Sequence, residues 1–144
     1  MDRLTLNKKV SDMSMTELAH NSCYAKDGEA FYRDFDCEIS ARDLARKLYK
    51  FYSDIKLSDD NDDFDEEMLN ELQYDPEIYP EGFIAIFYRN LWAQADLYEA
   101  LKRYEDAKDK IVQRIDEIKN ATDYPHNFKG QMVDDLEWVI NLLK

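Results

Sequence analysis

The residues best equipped for chemistry are few and scattered. The two histidines, His20 and His126, lie 106 residues apart, and neither falls in an HExxH, GxSxG, phosphate-loop or dinucleotide-binding pattern. Cys23 with His20 is the one nucleophile-plus-base pair close in sequence, and spacing alone does not make a catalytic thiol. Cys23 and Cys37 are the only thiols, with no CxxC beside them, which predicts free, partly buried cysteines in a reducing compartment. Asp59, Asn61, Asp63 and Asp65 imitate the start of a calcium loop, but Phe64 stands where that loop needs glycine and Asn70 where it needs glutamate. Shifting by one residue brings Glu71 to the last position and puts Phe64 on a ligand position. The expectation is therefore a protein without catalytic residues, metal ligands or cofactor.

Charge is the stronger signal. Nineteen bases face thirty-two acids, a net charge of -13. Residues 53–81 hold twelve of those acids against the single base Lys56, and so eleven of the thirteen net negative charges. A balance of this sign argues against direct nucleic-acid and anionic-membrane binding, which need Lys and Arg patches. It fits either a solvated edge or a surface that enters a cationic groove. Duplex DNA carries one charge per about 1.7 Å of axis, so eleven carboxylates match roughly 19 Å of duplex, and helix neighbours three or four apart are spaced about 5–6 Å. The expected contact residues are Asp59, Asp60, Asp62, Asp63, Asp65, Glu66, Glu67 and Glu71. Tyr32 and Arg33, which mix an aromatic with a polar handle beside a predicted hairpin, join them.

These residues need elements to carry them. The chain has 144 residues, 44% apolar and 13% aromatic, with only three glycines and three prolines, and its mean hydropathy is -0.71. That length suits one domain, the aromatics can build a core, and the shortage of turn formers points to long helices rather than a β-sandwich. The fold expected is mainly α, a helical bundle with one long central helix and a small N-terminal β-hairpin. Residues 1–14 read as a flexible arm on which Leu4 and Leu6 could dock, and residues 15–144 as a single helical domain. No signal peptide or membrane span is expected.

Along the chain, residues 16–20 fit one helical turn. Asp27-Gly28 between short apolar runs predicts a two-residue hairpin, and residues 35–39 alternate as an extension of its second strand. Ser40 with Asp43 marks the start of a helix over residues 41–52, with Leu44, Leu48, Phe51 and Ile55 on its apolar face and Arg42, Arg46 and Lys50 on a basic one. Ser58 or Asn61 could cap a second helix over 62–72 that carries Phe64, Met68 and Leu72. Tyr74 to Gly82 reads as a non-helical connector. Residues 83–120 then run without Pro or Gly, with a seam of Phe83, Phe87, Leu97, Leu101, Tyr104, Ile111, Ile115 and Ile118. Phe87, Leu91 and Trp92 read as core. A last helix from about Phe128, carrying Met132, Leu136, Val139 and Leu143, should fold back on it, making a helical hairpin of residues 97–144.

Two long strings add a resemblance. LAHNSCYAKDGEAFYRDFDCEISARDLARKL, residues 18–48, and GFIAIFYRNLWAQADL, residues 82–97, followed by Tyr104-Glu105-Asp106, resemble small acidic proteins carried by prophages and mobile elements of Firmicutes. The likeness covers about residues 16–107. It implies a phage or mobile-element accessory protein, a class that includes acidic inhibitors of bacterial defence such as anti-CRISPR proteins. The expected function is non-enzymatic: an acidic, nucleic-acid-mimicking inhibitor of a host nucleic-acid-binding protein with a basic groove, a CRISPR effector among the candidates, in the host cytoplasm. The alternative is a structural or assembly protein, a homodimer or larger, joined through its long helix.

Overall fold

The computed structural model describes residues 3–34, 37–123 and 125–142. It is about two thirds helical, with one small antiparallel sheet, an α+β arrangement. The elements run α1 (Met15–Asn21), β1 (Cys23–Lys26), β2 (Glu29–Asp34), β3 (Cys37–Ser40), α2 (Ala41–Tyr52), α3 (Asn61–Glu71), α4 (Pro80–Asn120) and α5 (His126–Leu142). No helix among them is long and apolar enough to cross a membrane. By compactness the chain divides into two units, Met1–Ala100 and Leu101–Lys144.

In the first unit the hairpin forms where Asp27-Gly28 requires it. Asp27 has φ 53° and Gly28 φ 78°, the left-handed pair that matches the twist of a two-residue turn. Residues 37–40 are not an extension of β2, as their alternation had implied. They return as β3, pairing Phe31 with Ser40 and Asp34 with Cys37, while Phe35 and Asp36 lie outside the described residues. Ser40 then caps α2, its hydroxyl accepting from the Asp43 amide at 3.1 Å. At the other end of the sheet α1 is longer than the expected single turn because Ser14 and Glu17 form a complete capping box. The buried Asn21 side chain accepts from the Leu6 amide at 2.7 Å and donates to the Leu4 carbonyl at 2.9 Å, so the leading segment is fastened through backbone groups.

One core serves the first unit: Cys23 and Ala30 of the sheet, Ala41, Ala45 and Tyr49 of α2, Phe64 and Met68 of α3, and Ile84, Ala85, Tyr88, Leu91 and Ala95 of α4. The face that α2 buries differs from the expected one. Alanines at Ala41 and Ala45 let α2 pack closely, Leu44 and Leu48 fall at the margin, and Phe51 is 85% exposed. The helix ends at Tyr52, so Ile55 is not on it at all. α3 begins one residue early because Asp60, not Ser58 or Asn61, is its cap, accepting from the Asp62 and Asp63 amides at 2.9 and 3.2 Å. α4 begins at Pro80 rather than Phe83. Proline in the first turn lacks only an amide that would be unpaired anyway, and Gly82 lets the helix pass against the Tyr74 carbonyl, where a Cβ would overlap it. The predicted seam holds only in part: Ile84, Ala85, Tyr88 and Leu91 are buried instead, while Phe83 and Leu97 are mostly exposed. Leu91 is core as expected, and Phe87 and Trp92 are partly buried against it.

The second unit is a helical hairpin. Ile115, Ile118 and Val133 form its small core, with Ile111, Met132, Leu136 and Ile140 packed around them. Lys119 pairs with Glu137 at 3.0 Å across the two helices, and the Lys129 ammonium donates to the Ala121 carbonyl at the connection. Leu143 lies outside the described residues. Tyr104, also assigned to the seam, is exposed.

Candidate partner-binding surface

The acidic segment is not met only by solvent. Arg42 and Arg46, four apart on α2, turn toward α3 and its approach. Arg42 grips Asp65 with two nitrogens, at 3.1 and 2.6 Å, and reaches Glu29 of β2 at 3.3 Å. Asp65 also accepts from the Tyr88 hydroxyl at 2.6 Å. Burial pushes the Asp65 pKa up, but the hydrogen bonds from Arg42 and Tyr88 outweigh it and hold the carboxyl below its usual range. The same burial, with Asp65 beside it, pushes the Tyr88 phenol up. Arg46 closes the loop before α3 by donating to the Ser58 carbonyl at 3.1 Å and the Asn61 side chain at 3.2 Å, its guanidinium 4.5 Å from the Phe64 ring centre.

The expected contact residues therefore divide by what holds them. Asp65 is tied to Arg42 and Tyr88, Asp60 caps α3, and Glu67 accepts from the Ser58 amide at 2.8 Å. Glu71 is half-buried at the end of α3. Asp59 is exposed, with Lys56 at 3.2 Å. Asp62, Asp63 and Glu66 are exposed on α3 and, among the described residues, pair with no base. At spacings of three and four they share one side of the helix. Tyr32 and Arg33 sit on β2, where the Tyr32 hydroxyl donates to Asp34 at 3.4 Å. Arg33 donates to the Asn21 carbonyl at 2.7 Å and lies over the Tyr24 ring.

The Cys23 thiol donates to the Gln94 carboxamide at 3.1 Å, and burial pushes its pKa up. His20 is exposed, its Nδ1 2.8 Å from the Thr16 carbonyl. Thiol and imidazole thus have separate partners.

A cleft was not evident from spacing. Met68 and Leu69 of α3, with Leu72 just past its end, face Ala85, Tyr88 and Trp92 of α4 across a cavity of about 340 Å³. Arg42 stacks on Trp92 at 5.2 Å from the ring centre, and the exposed Arg89 stands on the α4 wall. The volume is at the lower end for sites that hold an organic group. Sequence contained one hint: Leu69 is an apolar residue amid the acids of α3, and it is 68% exposed.

No family model, curated protein or solved structure matches this chain.

Proposed function

We propose that this protein is a non-enzymatic accessory factor of a phage or mobile element. In the cytoplasm of a bacterial host it occupies the basic groove of a nucleic-acid-binding defence protein, a CRISPR effector being one such target. The small bundle made by α2, α3 and the first half of α4 presents the acidic face. The observation that carries the reading is the division of labour among carboxylates: α2 supplies Arg42 and Arg46 to one side of the acidic segment, and Asp62, Asp63 and Glu66 stand exposed on α3 with no base engaged among the described residues. The resemblance of residues 16–107 to acidic prophage proteins supports it. The decisive variant is Asp62→Asn with Asp63→Asn and Glu66→Gln, which removes charge and leaves the Asp60 cap and the Asp65 pair in place. Wild type should capture a host protein that then loses its binding to nucleic acid, and capture should weaken as salt rises. The variant should lose capture at unchanged helical content. Equal capture by both proteins rejects the reading.

Self-association is the second reading. Phe128, Trp138 and Leu142 are exposed along α5, Trp138 by 63%, and with Gln131 and Asp135 they repeat at alternating spacings of three and four. The second unit carries eight bases and nine acids, so copies meeting there are not strongly repelled. Light scattering should then show a dimer that Trp138→Gln with Leu142→Gln reduces to monomer.

A further inference from the structure

We infer that the cleft between α3 and α4 receives a large apolar side chain, aromatic by preference, from a segment of the partner protein whose neighbouring residues are Lys or Arg. Two independent features meet there. The floor is apolar and shaped by Met68, Leu72, Ala85 and Trp92, and the polar groups Arg42, Asp65 and Tyr88 that line it already bond one another, so an entering group need not be polar. Along α3, Asp62, Glu66 and Leu69 follow one another at spacings of four and three, so the free carboxylates begin one turn from the exposed lip of the cleft.

Charge complementarity fixes the class of occupant. The first unit carries eleven bases against twenty-three acids, which repels a second copy presenting the same surface and draws in a cationic segment. Among the described residues Arg89, on the α4 wall, pairs with no carboxylate, and the sequence places no acid within one helical turn of it on either side. It keeps the segment's bases on the α3 side, where Asp62 and Glu66 meet them, and so orients the docked segment. The inference rests on the proposed role of those carboxylates and adds to it an anchor that salt does not screen: the buried side chain holds the complex where the charges steer it.

The test titrates the full-length protein with a capped pentapeptide carrying one tryptophan between two pairs of lysines, followed by amide chemical shifts and calorimetry. Shifts should centre on Leu69, Leu72, Tyr88, Arg89 and Trp92, and exchanging the peptide's tryptophan for alanine should weaken binding about tenfold or more. Leu69→Glu separates the two forces. It adds a carboxylate at an exposed position, so a purely electrostatic contact would tighten, whereas an anchored one weakens. If the alanine peptide binds as well as the tryptophan peptide and Leu69→Glu binds more tightly, the cleft assignment falls while the role of the carboxylates stands. If Asp62→Asn with Asp63→Asn and Glu66→Gln binds the tryptophan peptide as wild type does, the carboxylate reading falls. Binding of neutral 3-methylindole with equal affinity would make the occupant a small apolar molecule, and concentration-dependent shifts of the same amides without peptide would make it a second copy. Either outcome overturns the inference.

Discussion

At the scale of single residues, the Asp65 carboxylate decides the most. It joins α3 to α2 through Arg42 and to α4 through Tyr88, at 2.6 Å to each. Hydrogen bonds to a charged group of this kind contribute roughly 1.5–3 kcal/mol. Asp65→Asn should therefore lower unfolding stability by about 2 kcal/mol at neutral pH, read by urea denaturation. The pH dependence has a definite sign. The folded-state pKa of Asp65 lies below its unfolded value, so its contribution is complete above the ordinary carboxylate range and disappears as pH falls through the depressed value. The gap between wild type and Asp65→Asn should close on acidification, and a gap that stays constant to the lowest pH would show that the ionised form is not what matters. Asp60 is a second such residue: Asp60→Ala should cost about 1 kcal/mol and Asp60→Asn far less, because asparagine still caps.

At the scale of elements, the same substitution should have opposite effects in two helices. Gly82 in α4 faces the Tyr74 carbonyl, and a Cβ there would overlap backbone that cannot swing aside. Gly130 in α5 has open space around it. Alanine is about 1 kcal/mol better than glycine inside a helix, so Gly130→Ala should raise stability by about that amount. Gly82→Ala should lower it by about 1–3 kcal/mol, the overpacking cost exceeding the propensity gain. Thermal melts of the two variants check both signs. Helix starts were open to reading where a cap and its partner are local, as with Ser40 and Asp43. The buried faces were less so. The apolar stripe of α2 pointed to Phe51 and Ile55, but close approach through Ala41 and Ala45 set the packing, and small residues leave little trace in a count of apolar side chains.

At the scale of the whole molecule, the charge is confined largely to one of two compact units. Twenty-three acids and eleven bases lie in Met1–Ala100, eight bases and nine acids in Leu101–Lys144. Like charges crowded on α3 oppose folding, and raising ionic strength from about 10 mM to about 1 M shortens the screening length from roughly 30 Å to 3 Å. The partly buried Arg42–Asp65 pair is screened less than the exposed carboxylates, so the net effect should be a Tm that rises with salt by a few degrees, about what 1 kcal/mol gives at this chain length. A Tm that falls with salt would mean that the arginine clamps outweigh the repulsion.

The hairpin at Asp27-Gly28, the capped start of α2, the long helix and the returning α5 were all determined by local chemistry: a turn that needs positive φ, a hydroxyl within reach of a free amide, an unbroken run without proline. The clustering of acids could likewise be counted without coordinates. What only the tertiary structure decided was which carboxylates are left to act. Arg42 lies 23 residues before Asp65 and Tyr88 a further 23 beyond it, so their meeting depends on how three helices pack, as do the cleft beside them and the exposure of Asp62, Asp63 and Glu66. Periodicity assigns a residue to a side of its own helix, and only the neighbouring helices determine whether that side meets an arginine, a cavity or water.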